Sequence, residues 1–268
     1  MFPGALADCD DPAYALVGAP LDASTTFQPG TRFGPERIRS VARSFEDYDH
    51  HTGQRFTDLE VCDHGDVHPG SDTAEYLEFL RGTVAEYHDD GAVPLLVGGE
   101  HTVTIAGVRA LEPDVFVCLD AHLDLRESFA GNPLSHATVT HHALEETQRA
   151  VILGARSGSD GEWNRAEADG VTLVPPEEVP DWTPAFEDER VYLSLDIDVA
   201  DPGFAPGTGT PEPFGLEPRT IREVVRGVAP HSVGFDVVEV NDRDDGQAAT
   251  LAAKLLREFV FAHAASRE

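Results

Sequence analysis

The chain is almost without lysine: Lys254 stands alone among 19 basic residues, against 49 Asp and Glu, giving a net charge of -30 over 268 residues. Nucleic acid and anionic membranes are excluded as natural partners, because each would meet a field of its own sign. The balance fits a protein from a salt-saturated cytoplasm, where a Debye length of about 3 Å removes most self-repulsion. Long apolar runs are missing too. No stretch approaches the roughly 20 residues that span a bilayer, and the opening MFPGALADCDDPAY has neither the basic flank nor the apolar run of a signal peptide. A soluble, cytoplasmic protein is expected. Cysteine is scarce, and Cys9, Cys62 and Cys118 are an odd number at spacings that make neither a disulfide framework nor a CxxC site. Buried or neutral thiols are expected, with Cys118 in the core. GxGxxG, P-loop, HExxH and GxSxG patterns are also absent. With no repeat, low-complexity tract or linker, residues 1 to 268 read as one domain.

What is present is an alternation of short apolar runs with segments of helical period. The runs are YALVG (14 to 18), VPLLVGG (93 to 99), DVFVCLD (114 to 120), AVILGA (150 to 155), VTLV (171 to 174), VYLSLD (191 to 196) and SVGFDVVEV (232 to 240). Helices are expected near 35 to 45, 72 to 90, 102 to 111, 134 to 148, 160 to 169, 218 to 228 and 246 to 265. Continuously apolar strands between helices imply a mostly parallel sheet covered on both faces, a three-layer α/β/α arrangement. Ligands bind such sheets beyond the carboxyl ends of the strands.

The polar clusters fall at those ends: GGEH with His101, DAHLD with Asp120, His122 and Asp124, DID with Asp196 and Asp198, and FDVVEVN with Glu239. If the backbone stays extended, 120, 122 and 124 share one side, as do 196 and 198. Four converging carboxylates repel one another unless cations sit between them, and two divalent ions balance the charge. Two ions also suit six ligands, with Asp120 and Asp196 shared, and an oxygen and nitrogen set without thiolate favours Mn²⁺. His136, in NPLSHATV, is the other histidine singled out. His50, His51, His64, His68, His88, His141, His142, His231 and His263 read as surface or capping residues.

The stretches GGEH, DAHLDLR, SLDIDVADPGFAPGTGTPEPFG and GFDVVEVN, in this order, strongly resemble the ureohydrolase family of arginase, agmatinase and formimidoylglutamase. PGTRFGPERIR, DLRE and LGARSG look most like the agmatinases, in a haloarchaeal version. The resemblance implies an arginase-like sheet of about eight strands and two Mn²⁺ per subunit. His101, Asp120, Asp124 and Asp196 would hold one ion, and Asp120, His122, Asp196 and Asp198 the other. It implies urea release from a small cationic guanidino substrate, most simply agmatine to putrescine, in a homo-oligomer, trimer or hexamer. Glu239 would pair with the guanidinium, Asp124 would orient the attacking water and pass a proton to the leaving amine, and His136 would shuttle protons. Asp201 would be a loop acid. Glu100, Ala137 and Asp242 depart from the family's common Asp, Gly and Pro. Guanidinobutyrate, aminopropylagmatine, arginine and formimidoylglutamate remain alternative substrates. A mononuclear zinc deacetylase has no need of both His101 and Asp198, and a non-catalytic metal-stabilised subunit predicts lost ligands.

Overall fold

The computed structural model describes residues 1 to 267. Eight parallel strands run β1 (Tyr14–Ala19), β2 (Val61–Asp66), β3 (Val93–Gly98), β4 (Val115–Leu119), β5 (Arg149–Leu153), β6 (Val171–Val174), β7 (Val191–Asp196) and β8 (Ser232–Val238). Their order across the sheet is β2-β1-β3-β8-β7-β4-β5-β6. The helices are α1 (Gly34–Val41), α2 (Thr73–Asp89), α3 (Thr104–Leu111), α4 (Val139–Glu146), α5 (Asp160–Ala166), α6 (Pro218–Val228) and α7 (Gln247–Ala265). This is a three-layer α/β/α fold built on an all-parallel sheet.

Strand neighbours in the chain face opposite sides, so each strand feeds two cores. Leu16, Leu95, Leu193 and Phe235 pack against α1, α6 and α7 through Ile38, Ile221 and Phe259. Val17, Leu96, Phe116 and Tyr192 pack against α2, α3 and α4 through Leu80, Ile105 and Val139. Burial on both faces explains why these strands read as continuous apolar runs. Local signals set the helix starts: Asp72 accepts the Glu75 N–H ahead of α2, Ser159 and Glu162 form a capping box at α5, and Pro218 opens α6.

Three expectations need correction. β2 was not anticipated, because VCDHGD offers two apolar residues and then Asp, His, Gly and Asp at a sheet edge. Cys9 and Cys62 are joined in a disulfide, 53 residues apart in sequence, which tertiary proximity alone creates; Cys118 is the buried free thiol expected. His263 is buried, not superficial: its Nδ1 lies 2.8 Å from the Tyr14 hydroxyl and its ring stacks on Phe259. Boundaries also move, since the helix expected over 134 to 148 becomes a capped turn at His136–Thr138 followed by α4.

Register aligns the functional ends. Leu119 pairs with Leu195, Asp196 with Val238, and Val97 with Val237, so the ends of four adjacent strands, β3, β8, β7 and β4, lie level. At about 4.8 Å per strand, the residues that follow them emerge within a single site's width.

Candidate metal centre and cleft

All six expected ligand side chains meet there. His101 Nδ1 lies 3.1 Å from Asp120 Oδ2, 3.0 Å from Asp124 Oδ2 and 3.6 Å from Asp196 Oδ2. His122 Nδ1 lies 3.0 Å from Asp198 Oδ2 and 3.5 Å from Asp120 Oδ1. Asp120 therefore turns one oxygen toward each imidazole. Adjacent ligand atoms on an octahedral ion with bonds of about 2.1 Å sit about 3 Å apart, so this spacing suits hard divalent cations.

Strand parity is not what brings them together. β4 and β7 end at Leu119 and Asp196, and Asp198 sits in the one-turn 3-10 helix Ile197–Val199, its N–H donated to Asp196 Oδ1 at 2.9 Å. Asp124 and Glu239 adopt left-handed backbone, at φ 50° and 62°. For a residue with a side chain that conformation costs about 1 kcal/mol or more, and it clusters at functional sites. Here it swings both carboxylates inward.

The orientation of His101 is fixed from behind. The Ser194 hydroxyl donates to Asp236 Oδ1 at 2.6 Å, and His101 Nε2 lies 3.1 Å from that same oxygen of Ser194. With the hydroxyl proton committed, Nε2 carries a ring N–H to Ser194, and Nδ1 is the nitrogen that faces the carboxylates. Ser194 and Asp236 are register partners on β7 and β8, and Tyr192 donates to the other Asp236 oxygen at 2.8 Å. Sequence reading missed this pair, although an Asp inside the apolar run GFDVV was a visible signal.

Burial raises Asp196 and Glu239 far above the ordinary carboxylate range, and burial with the Asp120 charge pushes Asp124 up to about 7. Against burial, hydrogen bonds to Asp120 and Asp124 raise His101, while the charges of Asp198 and Asp120 take His122 to about 12. Hydrogen bonds from both imidazoles hold Asp120 below its usual value despite its burial. Such a cluster calls for positive charge, and its oxygen and nitrogen donors fit two divalent cations. Cys118 stands beside the set, its sulfur 3.8 Å from Asp120 Oδ2. Its sulfur lies 3.9 Å from Nε2, the ring nitrogen turned away from the carboxylates, and burial pushes the thiol up to about 12.

Glu239 lies beside the cluster, its Oε1 accepting the His101 N–H at 2.8 Å. Over its other oxygen passes Gly209, where a Cβ would stand 3.2 Å from Oε2. The turn after Glu239 carries Asp242 in place of a proline. It is held by Arg37 on Asp242 at 2.8 Å, and by Asn241 donating to the Gln28 carbonyl at 2.7 Å. His136 faces a cleft of about 250 Å³ that Asp124, His122 and Arg126 also line. Burial holds this imidazole below its ordinary value. Asp201 accepts the N–H groups of Gly203, Phe214 and Gly215, the loop acid expected. Arg156, unremarked in the sequence, donates to the carbonyls of Gly154, Asp198, Val199, Glu212 and Pro213, fastening the Pro/Gly loop to the end of β5.

The profile of the arginase family matches residues 12–262. The agmatinase of Pyrococcus horikoshii is 35% identical over 261 residues, spanning 93% of this chain and 91% of that protein. The N(1)-aminopropylagmatine ureohydrolase of Thermococcus kodakarensis is 36% identical over 256 residues, spanning 91% and 88%. Among solved structures, the agmatine ureohydrolase of Thermoplasma volcanium superposes with a TM-score of 0.93 at 31% identity, covering 98% of this chain and 94% of that one. Fold, cluster and relatives together define a ureohydrolase, an enzyme that hydrolyses a guanidino group. The chain belongs to the arginase family.

Proposed function

We propose that the protein is an agmatinase: one ureohydrolase domain that uses two Mn²⁺ ions to hydrolyse agmatine to putrescine and urea, as a cytoplasmic homo-oligomer in a high-salt cell. The observation that carries this reading is Asp120 turned toward two imidazoles with Glu239 alongside. His101, Asp120, Asp124 and Asp196 would hold one ion, and Asp120, His122, Asp196 and Asp198 the other. When bound, such a pair lowers the pKa of a shared water and stabilises developing negative charge.

The remaining chemistry belongs to side chains. Glu239, anchored at Oε1 by the His101 N–H, keeps Oε2 beneath Gly209, whose missing side chain leaves room for a guanidinium to pair with the carboxylate. Asp124 orients the attacking water and hands its proton to the leaving amine. His136 carries protons between cleft and solvent.

The tail end of the substrate separates agmatine from arginine. Arg126, which lines the cleft, is tied through Nε to Glu162 Oε2 at 2.9 Å and lies over the Phe129 ring at 4.7 Å. Glu162, whose Oε2 also accepts from Ser159, sets negative charge at this end of the cleft that favours the ammonium of agmatine over the carboxylate of arginine, and a poorly paired buried charge costs roughly 1 to 3 kcal/mol. That is a preference for agmatine of about tenfold or more. Aminopropylagmatine is a second reading, because a cavity of about 510 Å³ shares Arg126, Ser159 and Glu162 with the cleft and could house a longer tail.

Urea release from agmatine, aminopropylagmatine, guanidinobutyrate, arginine and formimidoylglutamate, with Mn²⁺ in molar KCl, tests the assignment. Agmatine should lead. Arginine turned over equally well sinks the agmatinase reading, and no product from any of them supports a non-catalytic subunit instead. Glu239→Gln should lower turnover of every guanidino substrate, whatever its tail.

A further inference from the structure

We propose that Glu100 is a positioning residue that sets the ring tautomer of His136 through the hydroxyl of Ser24. The proposal rests on the reading of His136 as a proton carrier, and concerns which of its nitrogens is available for that task.

Glu100 is fully buried at the turn after β3, where the loop following β1 comes so close that a Cβ on Gly99 would stand 1.9 Å from the Leu21 carbonyl oxygen. Every hydrogen-bond partner of its carboxylate is a donor. Oε2 accepts the consecutive N–H groups of Ala23, Ser24 and Thr25 at 2.6, 2.7 and 3.2 Å, and the Thr25 hydroxyl at 3.4 Å. Oε1 accepts the hydroxyls of Ser24 at 2.8 Å and Thr102 at 2.6 Å. Three successive amides aimed at one oxygen form an anion-binding nest, and here the anion is the protein's own.

Ser24 carries that arrangement into the cleft. A hydroxyl has one proton, and this one goes to Glu100. Its oxygen can then only accept: from the His136 N–H at 3.0 Å, and from His136 Nδ1 at 3.2 Å. Nδ1 is therefore the protonated nitrogen of the neutral ring. The lone pair is left on Nε2, which faces the Thr26 hydroxyl at 3.5 Å, and both residues line the cleft. The free imidazole side chain prefers the opposite tautomer, so the selection comes from Glu100 and Ser24. The residue beside one metal-ligand candidate thus governs a histidine that follows it by 36 positions in the sequence.

The test is ¹⁵N NMR of histidine-labelled protein in molar KCl with Mg²⁺ in place of Mn²⁺ to keep the sample diamagnetic, using His136→Asn to assign the ring signals. Wild type should show Nδ1–H for His136. Ser24→Ala should move the ring toward Nε2–H and lower kcat by about tenfold or more with little change in KM. Ser24→Thr, which keeps the hydroxyl, should restore both. Glu100→Gln, whose amide nitrogen would confront the same donors, should resemble Ser24→Ala. A wild-type tautomer in both Ser24→Ala and Glu100→Gln, or Nε2–H in the wild type, overturns the proposal. If His136→Asn keeps full kcat, the proton-carrier reading fails, and the NMR signature still decides the tautomer.

Discussion

Asp196 is held in three ways at once: its Oδ2 faces His101, its Oδ1 accepts the Asp198 N–H, and burial raises it far above the usual carboxylate range. If Asp196 is the proposed ligand common to both ions, its replacement by alanine should empty the site. Metal analysis of Asp196→Ala finding two equivalents still bound would contradict a shared role. Arg156 touches the carbonyl of Asp198 and not its carboxylate, so any effect on the proposed ions is indirect. Lysine cannot reproduce a planar fork that serves five carbonyls, so Arg156→Lys should weaken Mn²⁺ binding by about tenfold or more, read by titration. The candidate ligands were legible because acids and histidines at strand ends stand out from apolar runs. Asp236, Ser24 and Arg156 were not, because their roles depend on partners 42, 112 and 57 residues away, which no local pattern encodes.

At the scale of elements, the seven strands read from apolar runs are present, and the one that escaped, β2, is half Asp and His and lies at the edge. A period-two or continuous apolar signal reports burial, so a strand with one buried end gives little of it. α7 shows the converse. Its histidine looked like a terminal polar residue, yet His263 closes the core between Tyr14 and Phe259. Burial, helped by Arg267, lowers His263 to about 4. The folded value lies below the unfolded value of about 6.5, so the neutral ring contributes stability that is fully present above pH 6.5. That contribution, roughly 3 kcal/mol, is lost as the pH falls to about 4. Melting curves between those limits should show a steeper decline for the wild type than for His263→Phe. Parallel slopes would remove His263 from the account.

The whole molecule carries its charge of -30 with a single lysine. In dilute buffer unscreened repulsion should loosen the fold or its assembly, so activity and melting temperature should both fall on dialysis from molar KCl. Unchanged values without salt would count against adaptation to brine. Screening has a second side. In brine the like charges that keep most proteins apart lose their reach, while an open strand edge keeps its hydrogen-bonding groups. Here β6 is only four residues long, and β2 is overlaid by the start of the chain: Ala7 donates to the Val61 carbonyl, Phe2 to the Asp63 carboxylate, and Cys9 is bonded to Cys62. That overlay blocks growth of the sheet from one copy into the next by occupancy and a covalent clasp, a form of protection against aggregation that no concentration of salt can dilute.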